Sequence, residues 1–208
     1  MTGSRAKRLS QNHADIFPRP EHTAGGARFG AGPEKTTLML GDGILGLRNA
    51  EETDLPLLAS LRNDVAVQQL LGAVPRPNSR RKILAWLDRY ETEPDRLLFV
   101  IALEETDQPV GFLQVVGLDT VHGTGELGIC LERTFRGRGY AVCALALLER
   151  YLRDVFGLRK LVLHVLASNA RAVACYDRAG YRHVGVHRLH WYQNGAYHDV
   201  LVMEKLLL

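Results

Sequence analysis

The feature that most restricts this chain is a short turn, Arg136-Gly137-Arg138-Gly139-Tyr140-Ala141, set between a strand pattern and a long amphipathic helix pattern. Upstream, Gly125 to Leu131 reads as a strand. Downstream, Ala141, Leu145, Leu148, Leu152 and Val155 step by four, three, four and three, which predicts a helix over 140–156 ended by Gly157. Two glycines let the backbone curl so that successive N–H groups point at one centre. The start of the helix adds unbonded N–H groups and a partial positive charge. Arg136 and Arg138 add mobile cations. This combination suits a phosphate or diphosphate. It is not a Walker loop, because no Gly-Lys-Ser/Thr follows. Val142 also breaks the G-x-G-x-x-G dinucleotide fingerprint, and a turn after an antiparallel hairpin is the wrong context for it.

The elements around this turn alternate between helix and strand periods. Ile44 to Arg48 is a short strand, and Asp54 to Asp64 has helical spacing at Leu57, Leu58 and Leu61. Val65 to Leu71 continues as a second short helix, stopped by Gly72 and the Pro75/Pro77 loop. Asn78-Ser79 can cap a helix containing Ile83, Trp86, Leu87 and Tyr90. Leu97–Leu103 and Val110–Leu118 form a hairpin across Glu104–Pro109. After the long helix come a strand from Lys160 to Ala167 and a helix from Asn169 to Ala179 closed by Gly180. Two strands, Tyr181–Trp191 and Tyr197–Leu206, then turn at Asn194-Gly195. The expected class is α/β (α+β) with a mixed, mostly antiparallel sheet.

Residues 1–40 show no apolar period and read as a flexible extension; residues 43–208 read as one domain. The net charge of +3 resides in that extension, which holds six Lys/Arg against three Asp/Glu, so the body is neutral. A neutral body argues against a nucleic-acid-binding face. No apolar run is long enough for a membrane span, and the basic first residues lack the apolar stretch of a secretory signal. Cys130, Cys143 and Cys175 form no C-x-x-C pair and no even framework, which fits a reducing cytoplasm.

Arg136-x-x-Gly139-x-Ala141 resembles the [Q/R]-x-x-G-x-[G/A] diphosphate turn of the GCN5-related N-acetyltransferase (GNAT) family. Residues 163–181, LHVLASNARAVACYDRAGY, are similar to that family's strand–Asn–helix–Tyr segment, and GELGICL at 125–131 is similar to the strand before its turn. The ending, with Asn194-Gly195, Asp199 and Met203, resembles the branch of ribosomal-protein N-terminal and spermidine acetyltransferases. The resemblance implies a GNAT fold in which strands 125–131 and 160–167 are parallel neighbours that splay apart, with flanking helices. It implies acetyl-CoA as co-substrate and no metal. The pantetheine arm would pair with backbone near Ile129 to Leu131, and the diphosphate would meet the turn from Arg136 through Gly137, Arg138, Gly139 and Tyr140 to Ala141. Asn169 would contact the cofactor arm, cap the helix that follows, or do both.

Acetyl transfer requires a neutral amine, yet an alkyl amine of pKa near 10 is neutral only about once in a thousand at pH 7. A base or a water chain to one is therefore expected. On the resemblance, Glu126 and His164 are the alternative bases, and Tyr176 is the proton donor to the departing thiolate. The partner is a small-molecule amine or a protein N-terminus, and a homodimer is possible; a non-catalytic acyl-CoA sensor is the remaining reading. Trp191, Tyr192 and residues 65–80 are candidate acceptor-pocket walls, and Asp119 a weaker attractant for a cationic amine. His183, His187 and His190 read as ordinary strand and loop histidines, since no carboxylate or cysteine completes a ligand set. A serine hydrolase is excluded by the lack of G-x-S-x-G.

Overall fold

The computed structural model of the chain describes residues 38–208. Residues 1–37 of the expected extension lie outside them. The sheet begins at Leu40, the last residue assigned to that extension. Strand β1 (Leu40–Gly41) pairs with β2 (Leu45–Arg48), and Leu38 lies so close to Gly46 that a Cβ there would approach its Cδ2 to 2.2 Å. The chain continues through α1 (Leu55–Asn63), α2 (Val65–Leu70) and α3 (Arg80–Thr92) to β3 (Leu97–Leu103), β4 (Pro109–Asp119) and β5 (Thr124–Leu131). It ends with α4 (Tyr140–Phe156), β6 (Lys160–Leu166), α5 (Ala170–Arg178), β7 (Arg182–Gln193) and β8 (Ala196–Leu206). The eight strands lie in the order β1-β2-β3-β4-β5-β6-β8-β7.

Every neighbouring pair is antiparallel except β5–β6. A parallel pair needs a crossover, and α4 supplies it. The parallel register holds only for Thr124↔Lys160, Gly125↔Leu161 and Glu126↔Val162. Beyond Glu126 the two strands diverge, as expected for the splayed pair, and leave a wedge.

The period of two in the strands sorts side chains onto two faces. Leu113, Val115, Leu127, Leu131, Leu161, Leu163 and Val165 join the core under α4 and α5, where Leu145, Leu148, Leu152 and Tyr176 are buried. Phe112 and Cys130 point the other way, into a second core with Leu55, Leu58, Leu61, Val67 and Ile83 of α1–α3. Val155 departs from its expected place in the helix stripe and is 63% exposed. A repeat of 3.5 drifts about 20° per heptad against a straight helix. At that end Tyr151 covers the sheet instead, edge-on to both Phe99 and Phe156.

One buried ion cluster ties the far edge together. The Arg48 guanidinium donates to Asp54 Oδ2 at 2.6 Å and Oδ1 at 2.9 Å, and to Asp107 Oδ1 at 2.7 Å. Arg48 and Asp54 are each 1% exposed, and Asp54 also accepts from Glu51 N–H. The cluster joins β2, the turn before α1 and the β3–β4 hairpin. At the opposite edge, Asn194 and Gly195 both have positive φ (50° and 85°), as a two-residue hairpin turn demands.

Candidate active site

The turn after β5 has the expected form. Gly137 and Gly139 both adopt left-handed φ (80° and 86°), and an added Cβ would meet nothing within 4 Å at either. Gly139 is the N-cap of α4 and has no side chain to bond the first turn, whose first return bond runs from Val142 N–H to Gly139 O at 2.9 Å. The N–H groups just before Val142 therefore precede the helical ladder. Arg136 donates from Nε to Leu131 O at 2.8 Å, which pins the turn to the end of β5. The Arg138 guanidinium lies over the Phe135 ring, 5.5 Å from its centre.

The wedge supplies unpaired strand edge. Glu132 N–H bonds Val110 O on the β4 side. Alternation then directs the backbone groups of Leu131 and Ile129 away from β4, into the gap that β6 has left. A groove of about 790 Å³ passes through this gap from one face of the sheet to the other. On the α4–α5 side it is lined by Arg136, Gly137, Gly139, Tyr140 and Ala141, by Asn169, Arg171, Cys175, Tyr176 and Arg178, and by the backbone around Ile129 and Leu131. Arg138 is the one residue of the expected turn outside this lining. Asn169 both lines the groove and caps α5, its Oδ1 accepting from Ala172 N–H at 3.2 Å.

Tyr176 is 8% exposed, and burial pushes its phenol above the ordinary tyrosine range. It therefore holds its proton through the alkaline range, as a hydrogen-bond donor must. Burial likewise pushes the neighbouring Cys175 thiol up.

Glu126 and His164 lie on the opposite face. Each is an odd number of residues from a strand neighbour in the α4 core, Leu127 and Leu163 or Val165. They meet just past the last rung of the parallel pair, Glu126↔Val162, with His164 Nδ1 2.9 Å from Glu126 Oε1. His164 is 29% and Glu126 50% exposed at the side chain, so both are open to the groove.

Reading the sequence alone did not bring the later histidines here. His187 stacks on His164 with ring centres 5.7 Å apart, and His190 follows His187 at 4.8 Å. The cause is a bulge in β7. Between the pairs His187↔Val200 and Trp191↔His198, β7 has three residues where β8 has one. Leu189 takes φ 47° there, and its N–H bonds Asp199 Oδ1 at 2.8 Å. Among the described residues no group of His, Cys, Asp or Glu has the arrangement of a metal site. His183 is elsewhere, beside Asp177. Asp119 is held by His122 and two backbone N–H groups, which keep its carboxyl below the usual range.

The same bulge swings Trp191 into the groove, opposite Val67, Leu70 and Leu71 of the α2 segment; Tyr192 is not part of the lining. The hairpin tip is clipped to α2: Gln193 Nε2 donates to Gln69 O at 2.6 Å, and Gln69 Nε2 to Asn194 Oδ1 at 2.9 Å. Gly72, with φ 69°, permits the closest approach, since a Cβ there would be 2.3 Å from Trp191 Cζ2. Gln114 and Val116 of β4 complete this wall, and Tyr90 Oη holds Gln114 by donating to its Oε1 at 2.7 Å.

The family model described as acetyltransferase (GNAT) domain matches residues 45–182. The spermidine N(1)-acetyltransferase of Escherichia coli is 25% identical over 157 residues, 76% of this chain and 83% of that protein. The Vibrio cholerae enzyme of the same name is 26% identical over 91 residues, 44% of this chain, so that match spans about half (53%) of the relative's length. A crystal structure of spermidine N-acetyltransferase from Vibrio cholerae in complex with CoA and spermine shares the fold, with TM-score 0.74, 23% identity, and 80% and 97% of the two chains covered. A dodecameric structure from the same organism gives TM-score 0.67 at 22% identity, covering 80% and 95%.

Proposed function

Since this chain belongs to the GNAT acetyltransferase family, we propose that it transfers the acetyl group of acetyl-CoA to the primary amine of a small molecule, by direct attack with both substrates bound. The observation that carries this reading is the single groove joining the two-glycine turn on one face to the Glu126–His164 pair on the other. A CoA-shaped ligand fits the first half. The backbone N–H groups at Gly139–Ala141 and the cations of Arg136 and Arg171 suit a diphosphate, and the backbone of Ile129 and the N–H of Leu131, turned away from β4, suit an amide-bearing arm.

Acetyl-CoA supplies an activated thioester; the chain's own residues do the rest. The Glu126 carboxylate accepts from His164 when the imidazole proton is on Nδ1, which leaves Nε2 as the basic nitrogen. His164 then removes the amine's proton, and Glu126 fixes the ring and offsets the charge it gains. A backbone N–H on the free edge of β5 stabilises the oxyanion. Tyr176, kept protonated by burial, donates to the departing sulfur. Holding both substrates in one groove supplies the proximity.

The spermidine acetyltransferases among its relatives place polyamines in the test panel, beside amino sugars and short peptides with a free N-terminus. We also propose self-assembly. β7 is an edge strand with Val184, Val186 and Leu189 exposed, and such an edge is a pairing surface. Thiol release from acetyl-CoA, measured with each amine, tests the activity. Turnover that requires His164 supports it; CoA binding without turnover on any amine would instead favour a sensor. Sedimentation as a monomer at micromolar concentration would refute the assembly.

A further inference from the structure

The half of the groove beyond Glu126 and His164 differs in character from the half that suits CoA. Its walls are Val67, Leu70 and Leu71 on one side and Trp191 on the other, with Val116 and Gln114 of β4 behind. Among the described residues, Glu126 is the one carboxylate in the lining of the groove, and its Oε1 is already engaged by His164 at 2.9 Å. The other charged residues of the lining, Arg136, Arg171 and Arg178, are cations of the turn after β5 and of α5. Gln114 Oε1, a side-chain acceptor on this wall, already takes the Tyr90 hydroxyl.

A linear polyamine at neutral pH carries a cation every few carbons. With one amine neutralised for attack, the remaining ammonium groups need acceptors along the chain. Along Val67, Leu70, Leu71 and Val116 they would face aliphatic carbon, where an unpaired ammonium is unfavourable; the Trp191 face offers a cation–π contact but no hydrogen-bond acceptor. A hydrocarbon or aromatic body has the opposite preference, since each buried methylene favours binding about fourfold. The apolar wall reaches solvent at Leu70, which is 39% exposed.

We propose that the acceptor is a monoamine with an apolar or aromatic body, whose amine reaches the Glu126–His164 pair while its carbon skeleton lies between the α2 segment and Trp191. This inference rests on the acetyltransferase reading and narrows its substrate. It also separates this chain from the polyamine specificity named for its relatives, because recognition by one carboxylate and an apolar slot selects against a second positive charge.

The test compares amines of matched length. With acetyl-CoA saturating, kcat/KM is measured for hexylamine and 2-phenylethylamine against 1,6-diaminohexane and spermidine. The expected result is a preference of about tenfold or more for hexylamine over its diamine, on the scale of pocket discrimination by apolar contact. Leu70→Glu, at a half-exposed site that tolerates a charge, should reduce that ratio at least about fivefold by giving the second ammonium a partner. Each ratio is taken within one protein, so it is independent of the fraction folded. If the diamine or spermidine equals or exceeds hexylamine, the monoamine assignment is overturned while acetyl transfer stands. An unchanged ratio in Leu70→Glu removes the α2 wall from the acceptor site and overturns the assignment too. Failure of all amines to react, with CoA still bound, sinks the acetyltransferase reading itself and this inference with it.

Discussion

Gly139→Ala separates the conformational role of the turn from its role in binding. Gly139 has φ 86°, and an added Cβ meets nothing within 4 Å, so the substitution introduces no clash. What it adds is the cost of an L-residue in the left-handed region, about 1–2 kcal/mol. If the turn keeps its shape, the protein melts lower, by roughly 2–4 °C per kcal/mol for a chain of this size. If the turn relaxes to negative φ, the N–H groups at the start of α4 rotate away from their common centre. Each charge-assisted bond lost to a diphosphate is worth about 1.5–3 kcal/mol. Affinity would then fall about 10- to 150-fold.

The control lies at the other end of the same helix. Gly157 is also left-handed, at φ 64°, with nothing within 4 Å of an added Cβ, and it caps α4 away from the groove. Calorimetric titration of CoA and of pantetheine, with thermal melts, should show comparable losses of stability in Gly139→Ala and Gly157→Ala. Only the first should weaken CoA, and neither should weaken pantetheine, which lacks the diphosphate. Wild-type CoA affinity in Gly139→Ala with its melting point unlowered, which marks a relaxed turn, refutes the claim that this turn grips phosphate. Equal weakening in both variants refutes its locality.

Tyr176→Phe should lower kcat about a hundredfold with KM for acetyl-CoA little changed; a kcat within threefold of wild type in steady-state assays would remove Tyr176 as the proton donor. Arg48→Met leaves the Asp54 carboxylate buried and uncompensated, which should cost about 3–5 kcal/mol, while Arg48→Met with Asp54→Asn should recover a large part of it; urea melts that show a loss under 1 kcal/mol would mean the cluster is dispensable. Burial pushes the Cys130 thiol up to about 11 from an ordinary 9.0. The native chain thus keeps a proton that the unfolded chain releases, so this stability is complete below pH 9 and falls by about 3 kcal/mol as pH rises to 11; denaturant melts of Cys130→Ala should show a shallower fall over that window. Asp199→Ala frees the bulge that carries Trp191, and it should lower kcat/KM for the amine while CoA affinity, by titration, stays within twofold.

The two-glycine turn was legible because its conformation is local. Six consecutive residues supply both glycines, both arginines and the helix start, and the structure builds them without help from distant parts of the chain. The hairpin turn at Asn194-Gly195 was legible for the same reason, since both positions require positive φ. Glu126, His164 and Tyr176 stood out through the family pattern, and the period of two fixes that Glu126 and His164 share a face once their strands are neighbours.

Their 2.9 Å contact was not in the pattern. It depends on the parallel register Glu126↔Val162, which is set by how α4 packs its crossover. Nor could the sequence show that His187 and His190 stack beside His164, because a bulge shifts every later residue of β7 by an amount that only pairing with β8 fixes. The apolar wall of the groove is more remote still. Val67, Leu70 and Leu71 meet Trp191 across more than a hundred positions, held by two side-chain bonds and a glycine that yields space. Residues three or four apart constrain one another through the backbone, and the sequence alone determined the turn, the helices and the strand faces. Contacts between distant segments depend on how the whole sheet twists and closes, and only the tertiary structure set Glu126 beside His164 and Trp191 in the groove opposite the α2 segment.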